Sequence, residues 1–141
     1  MMSRELRLRI ISAVLLAIPV LLITWAGGIW FRGLSALLGL LIYYEFSTIT
    51  GLATREPAER IVGWVTVSLA AILVIIAWPG YALAAVLIGA AIAVLPAWRN
   101  RTAPWASVAI VYSGLFAIAL AGLRGVGVYG LYAMLFIIAI V

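Results

Sequence analysis

The sequence predicts an all-α protein: a polytopic transmembrane bundle of about six helices, forming one domain over residues 1–141. Hydrophobic residues make up 68% of the chain and charged residues 9%, with a mean hydropathy of +1.31, whereas soluble domains carry about a quarter charged residues. The apolar residues also fall into six runs. A helix needs about 20 such residues to cross about 30 Å of hydrocarbon, with about 17 as a workable minimum.

The runs follow one another with short breaks. The first follows a basic start and contains Pro19, which a membrane helix tolerates and which we expect to kink it. A secretory signal peptide begins in the same way, but Thr24-Trp25-Ala26 is a poor cleavage site. Gly27-Gly28 and Pro79-Gly80 are typical breakers. The predicted helical runs are 10–25, 33–50, 61–78, 81–98, 104–123 and 126–141.

Arginine placement predicts the orientation. All nine basic residues are Arg, and a cytoplasmic N-terminus puts only Arg32 and Arg124 on the opposite side. The positive-inside rule therefore selects this orientation. The six Trp residues fall near predicted helix ends, as an interfacial aromatic belt requires. The arginines assigned to the cytoplasmic side are Arg4, Arg7, Arg9, Arg55, Arg60, Arg99 and Arg101.

The composition excludes several kinds of chemistry. The four acidic residues are all Glu, and the chain contains no Lys, Asp, His or Cys. This removes thiolate and imidazole metal sites, disulfides, His acid–base catalysis and Lys Schiff bases. There is also no glycine-rich phosphate loop and no metal-ligand spacing. The residues alone therefore predict no catalytic group and no metal site, and the distribution of the net charge of +5 favours a lipid surface over nucleic acid.

Glu45 is the candidate site residue, because it lies inside the second apolar run. A charged side chain at the middle of a membrane helix costs about 3 kcal/mol, so such residues usually face a polar cavity or a partner. In the predicted orientation Glu45 lies about 8 Å below the cytoplasmic interface, where it could line a cavity open to the cytoplasm. The structural alternative is that it reaches head groups or a loop arginine. We expect the neighbouring Ser47 and Thr48 to bond to the backbone.

Small residues recur every four positions on the fourth and fifth runs, and such stripes let helices approach closely. They predict that these two helices contact each other along the stripes, unless Ala is simply abundant. The charged connection over residues 51–60 is expected to be a solvated loop with local charge pairing, or else a site for an acidic head group. The stripes are Ala85, Gly89, Ala93 and Ala97 on the fourth run, and Ala109, Ser113, Ala117 and Ala121 on the fifth.

The last run has 16 residues and would reach only about 24 Å, which would leave a terminal carboxylate in hydrocarbon. The simplest expectation is an amino-terminal piece of a longer protein that is interrupted within its sixth helix. An artificial boundary and a short product of a damaged gene remain alternatives.

Four stretches carry a resemblance to a known family: residues 7–19, 27–31, 44–46 and 123–141. Together they resemble the N-terminal half of bacterial phosphatidate cytidylyltransferases. In that family the final run continues into Trp-Ala-Thr-Asp and further helices. The family's C-terminal signature, which ends in Pro-Gly-His-Gly-Gly and has paired Asp residues, is missing here.

The resemblance implies a multi-pass nucleotidyltransferase of the bacterial inner membrane that uses Mg²⁺ to join CTP and phosphatidate into CDP-diacylglycerol and pyrophosphate for phospholipid synthesis. The metal-binding Asp residues would follow Val141, so we expect this chain alone to be inactive. Glu45 would line the substrate cavity, Arg9 would contact lipid phosphate, and Arg124 would be a structural or head-group residue. No nucleic acid is expected as a partner, and a homodimer is left open.

Two other functions remain open from the residues. A small ion-coupled transporter could use Glu45 to bind a proton or a cation. An assembly or scaffolding subunit would need no chemistry.

Overall fold

The computed structural model of the chain describes residues 4–52, 57–100 and 103–140. Arg55, Glu56, Arg101 and Val141 entered the loop, orientation and C-terminal predictions and lie outside the described residues.

Six helices make up the fold of the described residues. Five of them, α1 to α5, are long and apolar enough to cross a membrane, and α6 is a shorter apolar helix. The predicted all-helical, multi-pass class is therefore confirmed over this part of the chain. The helices are α1 (Arg4–Ala26), α2 (Gly28–Ile49), α3 (Pro57–Ile75), α4 (Pro79–Asn100), α5 (Trp105–Gly125) and α6 (Val128–Ile140).

Helices α2 to α5 form the core of the bundle. Helix α3 packs against α2, α4 and α5, while α5 also contacts α2, α4 and α6; α1 lies at the periphery against α2 and α6. The α1–α2, α3–α4 and α5–α6 turns meet at one end of the bundle. We call it the Arg-poor end because, of the arginines in the described residues, it holds only Arg32 and Arg124. The opposite Arg-rich end holds the N-terminal ends of α1, α3 and α5.

The prediction was wrong about where the second helix begins. Helix α2 starts at Gly28 rather than at residue 33, since Gly27 and Gly28 complete the turn with φ angles of 64° and 55°. Arg32, which the predicted run 33–50 left outside, lies inside the helix. Its Nε donates to the Gly28 carbonyl at 3.3 Å and its Nη1 to the Ile75 carbonyl of α3 at 3.0 Å. These bonds let a helix accommodate a cation that the sequence pattern marked as an interruption.

The predicted contact between the fourth and fifth helices exists. The prediction that the stripes form this contact is wrong at the stripe positions whose facing atoms the structure shows. Gly89 faces Thr66 of α3, and Gly39 of α2 faces Ser113 and Ala117. At Gly89, Ser113 and Ala117 the stripes therefore face other helices, because a four-residue spacing fixes a helix face without specifying its partner. The contact between α4 and α5 instead brings Val86 against Gly114, and the Ser107 hydroxyl donates to the Ala90 carbonyl.

The hydroxyl and Trp predictions largely hold. The Ser47 and Thr48 hydroxyls donate to the Tyr44 carbonyl at 2.9 and 2.8 Å, as predicted for backbone bonding. The exception in the Trp belt is Trp64, which lies about two turns inside α3 and packs against Tyr43. The Trp residues that are exposed near helix ends are Trp25, Trp30, Trp78, Trp98 and Trp105.

Candidate functional site

Glu45 lies on the exposed side of α2, near its C-terminal end. The preceding turn explains this orientation. Tyr43 is fully buried, and a residue two positions further along a helix is rotated by about 200°, so Glu45 faces away from the core. Its neighbours on either side contact the bundle: Tyr44 reaches Trp64 of α3 and Phe46 reaches Trp105 of α5.

Arg9 is also exposed and lies on α1. Arg9 and Glu45 each lie 18 residues from Gly27, which corresponds to about 27 Å along either helix from the α1–α2 turn. The two candidate residues thus lie at a similar distance from the Arg-poor end. Helix α1 packs only lightly against α2.

A polar contact joins α2 to α3 toward the Arg-rich end. The Tyr43 hydroxyl donates to the Arg60 carbonyl at 3.0 Å, and the Tyr43 ring meets Trp64 edge to face with a centroid distance of 5.3 Å. Gly63 makes this approach possible, because a Cβ at that position would overlap the tyrosine ring and hydroxyl. In the sequence, Tyr43 lies two residues before Glu45 in the second apolar run. The structure makes it a core residue.

Glu59 and Arg60 correct the loop prediction. Both belong to the first turn of α3 rather than to a solvated loop, and Glu59 is only 6% exposed. The Arg60 Nε is buried without a hydrogen-bond acceptor among the described residues. The Glu59 side chain and the Arg60 Nε are therefore held within the protein, close to the Tyr43 contact.

The described residues bring no cluster of acidic ligands together for a magnesium ion. Mg²⁺ is held by carboxylates and other oxygen ligands, yet the described part of the chain brings no three acidic, His or Cys side chains together. Glu45 is exposed on α2 and Glu59 is buried at the start of α3.

A half-open cavity of about 450 Å³ lies at the Arg-poor end between α2, α3 and α5. Two of its lining residues are cationic, Arg32 and Arg124, and most of the others are apolar or glycine. Sequence reasoning did not find this cavity. The available signal was that both arginines depart from the positive-inside pattern.

Arg124 also ties α5 to the end of α1. Its Nε donates to the Thr24 carbonyl at 2.8 Å and its Nη2 to the Trp25 carbonyl at 3.2 Å. These are carbonyls of the last turn of α1, where a cation is favourable. A Cβ at Gly27 would lie 2.6 Å from Nη2 and would displace the guanidinium group, and the φ of 64° at this position also favours glycine. Arg124 was predicted to be a structural or head-group residue, and these two bonds give it a structural contact.

The chain is similar to curated phosphatidate cytidylyltransferases. Those of Brucella abortus biovar 1, Brucella suis biovar 1 and Brucella melitensis biotype 1 are each 32% identical to it over 139 residues. The alignment covers 97% of this chain, and the chain spans about half (50%) of the length of these relatives. No family model matches the chain, and no solved structure matches it significantly. The resemblance to the phosphatidate cytidylyltransferase family is thereby confirmed, and its extent is consistent with an N-terminal half.

Proposed function

We propose that this chain is the N-terminal membrane portion of a bacterial inner-membrane phosphatidate cytidylyltransferase, which makes CDP-diacylglycerol and pyrophosphate from CTP and phosphatidate. The observation that carries the proposal is the 32% identity that extends over 97% of the chain to relatives of that name. The lipid substrate suits a multi-pass helical protein, because phosphatidate reaches an enzyme from within the bilayer.

The chain supplies framework and cavity wall rather than the metal site. The reaction joins two polyanions, so a divalent cation held by carboxylates would reduce their repulsion. The carboxylates of the described residues do not converge, and the sequence contains no Asp. The Mg²⁺ ligands would therefore come from the half of the relatives that this chain does not match, and the chain alone would be inactive.

Glu45 and Arg9 would face the substrates. An exposed carboxylate inside a membrane span costs about 3 kcal/mol if it meets lipid tails, so its surroundings are expected to be polar. The exposed Glu45 side of α2 would then form one wall of a cytoplasm-facing cavity, closed by the unmatched half. Arg9, at a similar distance from the α1–α2 turn, would contact the phosphate of phosphatidate.

A chimera tests this proposal. The chain would replace the matching half of the Brucella abortus relative, and membranes would be assayed for conversion of CTP and phosphatidate to CDP-diacylglycerol. We expect activity in the chimera and none from the chain alone. A well-inserted chimera without activity would argue against the proposal.

Matched variants in the chimera test the two residues. Glu45→Gln should lower kcat/KM by about tenfold or more, the effect of losing roughly 1.4 kcal/mol of transition-state stabilisation, whereas Thr48→Ala should leave it unchanged. Arg9→Gln should raise the KM for phosphatidate while the exposed Arg7→Gln does not. Proton movement into vesicles by the chain alone, abolished by Glu45→Gln, would instead identify a carrier.

A further inference from the structure

We infer that the cavity at the Arg-poor end binds the phosphate of an anionic phospholipid from the adjacent leaflet. This site is separate from the proposed substrate cavity, which lies at the other end of the helices, and it does not depend on the proposed function. Arg32 and Arg124 supply the charge that selects the ligand.

The two guanidinium groups keep donors available for a ligand. Each guanidinium group has five N–H groups. Arg32 donates from Nε and Nη1 to backbone carbonyls, and Arg124 donates from Nε and Nη2. Those bonds hold both groups in fixed positions. A planar guanidinium matches phosphate geometry well. Two arginines that are held in place and keep unused N–H donors therefore form a preorganised anion-binding site.

The charge at this end lacks compensation from carboxylates. The described lining of the cavity contains no acidic residue, and the four Glu residues, at positions 5, 45, 56 and 59, are all closer in sequence to the Arg-rich end. Partly buried cations are costly without counter-charge. A bound anion would supply that charge.

The walls and the depth of the cavity favour a lipid over a free ion. Phe31, Val74 and Ile118 line the cavity with apolar surface, which suits glycerol and the start of the acyl chains. Trp25 and Trp30, which lie near the α1–α2 turn at the same end of the bundle, are 73% and 70% exposed, as expected for residues at head-group depth. A cavity at that end would be within reach of lipid phosphates.

Binding of short-chain lipids to the purified chain in detergent tests this inference. The probe is dihexanoyl phosphatidylglycerol, with dihexanoyl phosphatidylcholine and inorganic phosphate as comparisons, measured by calorimetry. We expect phosphatidylglycerol to bind about tenfold or more tightly than either, as charge-assisted contacts and apolar walls predict. Equal binding of the two lipids, or phosphate binding as tightly as phosphatidylglycerol, would overturn the assignment.

Cavity-filling variants locate the site. A side chain at Gly122, which lines the cavity, meets nothing within 4 Å at its Cβ, so Gly122→Leu should fold and still weaken phosphatidylglycerol binding by about tenfold. Gly80→Leu is the matched control, because its Cβ is equally open and Gly80 does not line the cavity. Combined Arg32→Gln and Arg124→Gln should also weaken binding, whereas Arg7→Gln, at an exposed position toward the Arg-rich end, should not. Unchanged affinity in folded Gly122→Leu would overturn the inference.

Discussion

Replacing Gly63 with Ala should loosen the packing of α2 against α3. The added Cβ would overlap the Tyr43 ring and hydroxyl, and the ring atom Cε2 would be 2.8 Å away. Tyr43 is fully buried and cannot move without leaving Trp64 and the Arg60 carbonyl. The substitution therefore acts on a rigid ring rather than on the end of a flexible side chain.

The expected loss of stability follows from four contributions. Overpacking costs about 1–3 kcal/mol, the lost hydrogen bond about 0.6 kcal/mol in a membrane protein, and the lost aromatic contact about 1 kcal/mol. Replacing Gly by Ala in a helix returns about 1 kcal/mol. The net destabilisation should be about 2–4 kcal/mol.

The assay is the free energy of unfolding in mixed micelles titrated with SDS and followed by circular dichroism. Gly33→Ala is the control, because a Cβ at that position of α2 meets nothing within 4 Å; it should be neutral or stabilising. A Tyr43→Phe change should cost less in the Gly63→Ala background than in the native chain, since the hydroxyl bond is already lost. A Gly63→Ala chain as stable as Gly33→Ala would refute the reasoning.

Three further predictions concern packing, backbone strain and orientation. Gly89→Leu and Ser113→Leu should each lower the SDS midpoint of unfolding, because both sites face a neighbouring helix closely; unchanged midpoints would contradict the packing described. Ala77→Gly should raise stability by about 0.5–1 kcal/mol, since Ala77 holds a φ of 64° at the end of α3; a loss in the same titration would contradict the strain. The chain contains no Cys, so single cysteines can report the orientation. An impermeant maleimide added to intact cells should label Val126→Cys, whereas Ala103→Cys should be labelled only after lysis. The reverse pattern would overturn the predicted orientation.

The spans were largely predictable because hydrophobic length is a property of each segment. Which helices pack against each other was not predictable. The stripe through Gly89 has the right spacing for helix packing, but the spacing does not specify that α3, rather than α5, faces Gly89. The start of α2 was missed because Arg32 appears in sequence as an interrupting charge. Its bond to the Ile75 carbonyl, 43 residues away, depends on the tertiary fold.

The candidate site was only partly predictable. Scarcity of acidic residues was enough to single out Glu45, but its exposed position follows from the burial of Tyr43 against Gly63, a contact between two helices. The cavity at the Arg-poor end needs three turns to meet. Those turns are distant in sequence, so the charge of Arg124 alone did not indicate a cavity there.

The bonds from Arg124 to the end of α1 affect the order of assembly during synthesis. Their partners are separated by 100 and 99 residues, so α1 leaves the ribosome long before the side chain that will hold its end exists. At about 5–20 residues per second, that interval is roughly 5–20 s. Until then helix α1 has only its light contact with α2 to hold it, and the bonds that fix its end wait for α5 to be inserted.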